Sequence, residues 1–184
     1  VTKIDDKARV VELSIDVDKG KKVYVGNINM LGNIKTRDNV IRREFRLKEG
    51  EVFDGSKLKR SKQRINNLNF FEDVKIDTQR GDNPELIDIL TTVTEKPTGS
   101  FTIGAGFSSV ENLIFTTSIA QDNLFGNGHR VNLTASLSSI RTDFNISFTE
   151  PRLFDSEISA GIDAFNQDQD FLSFDAKTTG AGFR

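Results

Sequence analysis

The sequence runs to 184 residues, room for one domain or two small ones, and its formal charge of −2 leaves no general basic footprint for nucleic acid. It has no Cys and a single His, which excludes disulfides, thiolate chemistry and a His/Cys zinc site. No apolar run approaches the ~18 residues of a membrane helix, but a membrane β-barrel stays open, because its strands alternate and score poorly on hydropathy.

In chain order, Val11, Leu13, Ile15 and Val17 alternate with polar residues and predict a strand with one apolar face. "DKGKK" is a turn, and "VYVGNINMLG" is a second strand ending at Gly32. In "NIKTRDNVIRREFRL", Thr36 is a candidate N-cap, and Val40, Ile41 and Phe45 recur at helical spacing. After the loop "KEGEVFDGSKL", Ser56 is the candidate cap of a second helix, with Leu58, Ile65 and Leu68 near one face and Lys57, Lys59, Arg60, Lys62 and Arg64 around the rest. "FFEDVKIDTQ" and "LIDILTTVTE" are strands flanking the turn "RGDNPE". Residues 23 to 96 therefore have the order β-α-α-β-β, with Phe70 and Phe71 as core candidates.

At "EKPTGS" the grammar changes. Residues 98 to 184 hold 11 of the 15 Phe and carry net −5, against +3 before the break. Alternating segments follow one another to the end: "FTIGAGFSS", "NLIFTTSIA", "HRVNLTASLSS", "RTDFNISFTE", "SEISAGIDAF" and "FLSFDAKTTGAGF". The turns expected between them are "SSVEN", "QDNLFGNG", "SSIR", "EPRLFD" and "NQDQD". Each segment is close to the ~9–11 residues with which a tilted strand crosses hydrocarbon. The expected architecture is an antiparallel up-and-down meander of about six strands. Its polar faces hold Ser, Thr, Asn and Gly rather than Lys or Glu, which suits a barrel lumen; a soluble β-sandwich also alternates and stays open on these residues. The chain starts at Val1 without a visible signal peptide and stops at Arg184 within a strand pattern, so the expectation is an internal piece of a longer protein.

Several stretches together carry a resemblance: "GNIKTRDNVIRREF", "LNFFEDVKIDTQRG", "EKPTGSFTIGAGFS", "QDNLFGNGHRVNL" and "SFTEPRLFD". In this order and spacing the chain resembles the outer-membrane β-barrel assembly factors of the Omp85 superfamily. The resemblance implies an α+β POTRA domain followed by an antiparallel meander forming part of a transmembrane β-barrel. Residues 1–19 would end a preceding POTRA domain, 20–97 would form a POTRA domain like the fifth, and 98–184 would be the first six of sixteen barrel strands. It implies a place in the Gram-negative outer membrane, with the POTRA part in the periplasm. Its implied partners are unfolded outer-membrane protein clients, outer-membrane lipid and BamD-like lipoproteins of the assembly complex. Arg43 and Glu44 match the motif whose glutamate meets that lipoprotein. The first barrel strand, Phe101, Thr102, Ile103, Gly104, Ala105, Gly106 and Phe107, would offer its edge to a client strand. The alternative within the superfamily is a translocation or two-partner secretion pore.

No constellation of nucleophile, base and acid appears, and the expectation is a protein that is not an enzyme, with no cofactor and no metal. The G-x-G of "IGAGFSS" lacks the following helix that a nucleotide loop needs. Phe125, Leu124, Leu153 and Phe154 sit in turns, where either ordinary turn packing or anchoring at the membrane interface accounts for them. Asn123, Gly126 and Gly128 are turn chemistry.

Overall fold

A computed structural model describes residues 2–5, 10–13 and 21–184. The strand expected to continue through Ile15 and Val17, and much of the stretch assigned to a preceding domain, fall outside the described residues. Within it, β1 (Thr2–Asp5) pairs antiparallel with β2 (Val10–Leu13).

The next unit contains β3 (Tyr24–Leu31), α1 (Asp38–Arg42), α2 (Gly55–Asn67), β4 (Phe71–Arg80) and β5 (Leu86–Glu95). This is the β-α-α-β-β order expected. The sheet order is β3-β5-β4, with β3 parallel to β5 and β4 antiparallel to it. Apolar residues at helical and alternate-strand spacing meet between the layers. Val40, Ile41, Ile65, Phe70, Phe71, Val74 and Val93 form one buried cluster, and Val25, Ile28, Leu47 and Ile89 a second. The expectation for Phe70 and Phe71 holds: the rings meet edge to face with centroids 6.3 Å apart. Burying side chains of this size contributes about 1.5–3 kcal/mol each.

Both expected helix caps are corrected. Thr36 does not cap α1, which starts at Asp38 and lasts five residues. Its backbone N–H donates to Glu95 at 2.6 Å and its hydroxyl accepts from Asn123 at 2.8 Å, so distant partners have taken the groups a cap would use. Ser56 is not the cap of α2 either. The carboxylate of Asp54 accepts from the N–H groups of Ser56 and Lys57 at 2.7 and 3.2 Å. A charged acceptor at the positive end of a helix outcompetes a hydroxyl two residues later.

The remainder is one six-stranded antiparallel sheet of β6 (Gly99–Ser108), β7 (Asn112–Leu124), β8 (His129–Leu137), β9 (Arg141–Glu150), β10 (Ala160–Asp170) and β11 (Asp175–Phe183), in that spatial order. One correction applies to its last hairpin. "NQDQD" is not a turn: β10 runs through it to Asp170, and the bend falls at Phe171–Phe174. Polar cross-strand pairs carry the ladder there, Asn166 with Thr179 and Asp168 with Lys177.

Register shows how the sheet meets its surroundings. Residues directly opposite share a face. One row holds Phe101, Ile119, Leu133, Ile146, Ala164 and Ala181. Two residues further from the POTRA unit, Ile103, Thr117, Ala135 and Phe144 lead into Asn166 and Thr179. Two residues nearer to it, Gly99 and Gln121 lead into Val131, Phe148, Ile162 and Phe183. The apolar stripe thus descends from β6 to β11. Tilted strands crossing a level slab of hydrocarbon produce this drift, as in a barrel wall. The opposite face carries Thr102, Ser118, Thr134 and Asn145 in one row, and there the ring of Phe165 lies over Gly180.

Candidate functional site

The first candidate region is the margin of the sheet. β6 is the first strand of the sheet, and Phe101–Phe107 pair with β7 along Ile119–Leu113. Phe101, Ile103 and Phe107 are exposed on the apolar face, while Thr102, Gly104 and Gly106 face the polar one. The glycines are not there to avoid a clash. A Cβ at Gly106 would meet nothing within 4 Å, and one at Gly104 only the Thr116 carbonyl at 4.0 Å. What they do is thin and loosen the strand, because glycine weakens a strand interior.

The second region is the junction between the POTRA unit and the sheet, where Arg43 and Glu44 lie. Glu44 lies two residues past the end of α1 and is buried, with 4% exposure. Its carboxylate accepts from Arg64 Nε on α2 at 2.8 Å, and from Arg152 Nε and Nη2 at 3.2 Å each. Arg152 belongs to the β9–β10 turn. Arg43 reaches the same turn, with Nη1 3.2 Å from Asp155, while its Nε is buried without a partner. Arg46 and Arg64 both approach Glu157. The sequence motif is thus the POTRA half of an ion-pair cluster with the barrel half.

The β7–β8 turn supplies the other half of the junction. Asn123, Phe125, Gly126 and Gly128 all have positive φ, from 52° to 79°, as the turn reading of Asn123, Gly126 and Gly128 requires. Asn123 is buried. Its Nδ2 donates to Thr36, and its Oδ1 accepts from Gly128 N–H at 2.8 Å. Arg37 N–H donates to the Gly126 carbonyl at 3.0 Å. The Lys35 carbonyl lies so close to Gly126 that no Cβ fits between them.

Glu95, the last residue of β5, completes the relay by accepting from the N–H groups of Lys35 and Thr36. Its partial burial alone would raise its pKa, but the hydroxyl and amide of Thr36 and the amide of Lys35 outweigh that and hold it below 4.5. His129, without an evident partner in the sequence, sits against Glu150 and meets Phe148 edge-on at 5.4 Å. Thr36, Glu95, Arg152 and Asp155 are the junction residues that pattern reading missed. Leu124 and Leu153 are half-buried, whereas Phe125 and Phe154 are exposed.

Fold and junction together define a POTRA unit docked on the wall of an Omp85-type β-barrel. Residues 23–96 match the POTRA family model, described as a surface antigen variable number repeat, and residues 123–184 match the Omp85 superfamily domain. The chain is similar to the outer membrane protein assembly factor BamA of Neisseria meningitidis, 34% identical over 97% of its length, and to that of Nitratidesulfovibrio vulgaris, 35% identical over 95%. It belongs to the BamA family of the Omp85 superfamily. It spans only 23% and 22% of those two relatives. The crystal structure of BamA from Haemophilus ducreyi lacking POTRA domains 1-3 superposes on all of the chain with a TM-score of 0.88 at 30% identity, covering 36% of that structure. CdiB from Escherichia coli shares the fold over 87% of the chain, at a TM-score of 0.58, 15% identity and 31% of its own length.

Proposed function

We propose that this chain works within an outer-membrane protein assembly factor that folds and inserts β-barrel clients. Its place is the outer membrane, with the POTRA part on the periplasmic side. In this reading residues 1–19 end a preceding POTRA domain, 20–97 form the POTRA domain next to the barrel, and 98–184 are the first six of sixteen strands. The observation that supports the mechanism is β6 itself: it is the first strand of the sheet, and Gly104 and Gly106 thin it, which weakens the seam it would form in a closed barrel so that its N–H and C=O groups can come free. Unpaired N–H and C=O groups template an incoming strand by β-augmentation. In hydrocarbon each unpaired group costs several kcal/mol, so a client strand gains strongly by docking there, and no nucleotide is needed.

Arg43 and Glu44 are the proposed contact for a BamD-like lipoprotein, one that Glu44, buried under Arg64 and Arg152, joins only when the junction opens. Because Glu44 also holds Arg152, a partner that engages it acts on the junction as well. The mechanism is tested by placing photo-cross-linking side chains at positions 101 to 107 of the full-length protein. Adducts with the C-terminal strand of a stalled client are expected, and a folded barrel that yields none would defeat the templating role. For the lipoprotein contact, Glu44→Lys should reduce co-purification of the lipoprotein, and unchanged recovery would count against it.

A further inference from the structure

Between the POTRA unit and the foot of the sheet lies a cleft of about 520 Å³, whose lining includes Lys35, Glu95, Lys96, Gln121, Phe125 and Gly126. Gln121 belongs to the outward row that continues into Val131, Phe148, Ile162 and Phe183, and is the first polar outward residue below Ile119 on β7. The cleft therefore opens at the level where the apolar stripe ends on the POTRA side.

Two apolar side chains stand exposed beside it. Ile34 is 90% exposed and Phe125 is 81% exposed. Phe125 also has a φ of 52°, a left-handed conformation that a bulky residue rarely holds. The two travel together, because Gly126 is packed on the Lys35 carbonyl and bonded to the Arg37 amide. Neither packs into either core. Around them the lining carries two lysines against one carboxylate, a net positive charge. The Glu95 carboxylate is turned to the amides of Lys35 and Thr36, while Lys35 and Lys96, whose Nζ also donates to Asn69, line the opening. An aromatic and an aliphatic side chain flanked by lysines, at the edge of an apolar band, fit the headgroup region of a bilayer.

We propose that Ile34 and Phe125 insert into the interface of the periplasmic leaflet, with Lys35 and Lys96 on lipid phosphates, so that the docked POTRA loop belongs to the membrane footprint of the protein. This rests on the outward face of the sheet meeting lipid. The partner is a phospholipid surface, because the patch continues the lipid-facing stripe and complements phosphate charge.

The test uses the full-length protein in vesicles of phosphatidylethanolamine and phosphatidylglycerol. A fluorophore is attached at Ile34→Cys or Phe125→Cys, two independent positions in a stretch with no native Cys. Leu133→Cys on the outward face and Asn66→Cys at the exposed end of α2 are the references. Both junction labels are expected to be quenched by shallow spin-labelled lipid, and several-fold less by aqueous iodide than the Asn66 label. Adding Lys35→Glu with Lys96→Glu should lower the lipid quenching at Phe125→Cys at least twofold, and no change would overturn the role of the lysines. Iodide quenching equal to that at Asn66 would overturn the proposal, as would shielding from both quenchers, which would mean that protein covers the patch. If Leu133→Cys also fails to see lipid, the outward-face reading falls and takes the proposal with it. Lipid contact at Leu133 alone overturns only the interfacial anchor.

Discussion

Neutralising Glu44 should unlock the junction. In Glu44→Gln the shape is kept, but Arg64 and Arg152 lose the carboxylate that accepts three charged hydrogen bonds at 2.8 to 3.2 Å. The Glu44 side chain is 5% exposed and both arginines 21%, so solvent replaces little of what is lost. Removing one member of a buried pair costs about 3–5 kcal/mol, and Glu157 near both arginines places this case at the low end. The part that ties the two domains together is the Arg152 arm, worth about 1.5–3 kcal/mol for charged hydrogen bonds. Hydrogen exchange in the full-length protein isolates it, read at the Arg37 amide, whose bond to the Gly126 carbonyl forms only when the turn is docked. Exchange there should accelerate roughly 10- to 150-fold, at about 1.4 kcal/mol per tenfold. A double-mutant cycle with Arg152→Met should return most of the arm as coupling. Unchanged exchange, or a coupling below about 0.3 kcal/mol, would refute the reasoning.

Gly104→Ala with Gly106→Ala should stabilise β6 by about 0.4–1 kcal/mol per site, since open space surrounds both positions. If looseness at the margin serves assembly, exchange across 101–107 slows and client folding in proteoliposomes slows with it; slowed exchange with unchanged folding would count against the role of the glycines. The contribution of Glu95 is complete above its unfolded pKa near 4.5, and because its folded value is lower, it fades as pH falls through that lower value. Protection of the Arg37 amide should therefore drop in acid below pH 4.5, and Glu95→Gln should flatten that part of the profile. Gly126→Ala should undock the β7–β8 turn, because the new Cβ meets the Lys35 carbonyl as well as a φ of +74°. Gly50→Ala, with a φ of +84° and open space, should cost only about 1–2 kcal/mol, so equal losses of thermal stability would contradict the steric argument.

Local patterns carried most of the fold. Alternation located the strands of both halves, and the excess of Phe after Pro97 marked the change from a packed unit to a wall with two faces. Where local reading failed, a distant partner had intervened. Thr36 has the chemistry of a cap, yet its hydroxyl is bound by a residue 87 positions away. Glu44 looks like one charge among several, and its partners Arg64, 20 positions on, and Arg152, 108 positions on, explain why it is buried. The polar run Asn166–Asp170 has the composition of a turn but stays in the ladder, because its outward side chains lie where the apolar stripe has already moved down the sheet.

The junction bolts the POTRA unit to the turns that close β7–β8 and β9–β10, while among the described residues β6 is joined to it through the short run Lys96–Thr98. The load path between the two domains therefore runs around the first strand and not through it. Strands β7 to β10 act as the frame that moves with the periplasmic arm. β6 takes no part in either bolted turn, so a change confined to that strand leaves the frame and the arm joined.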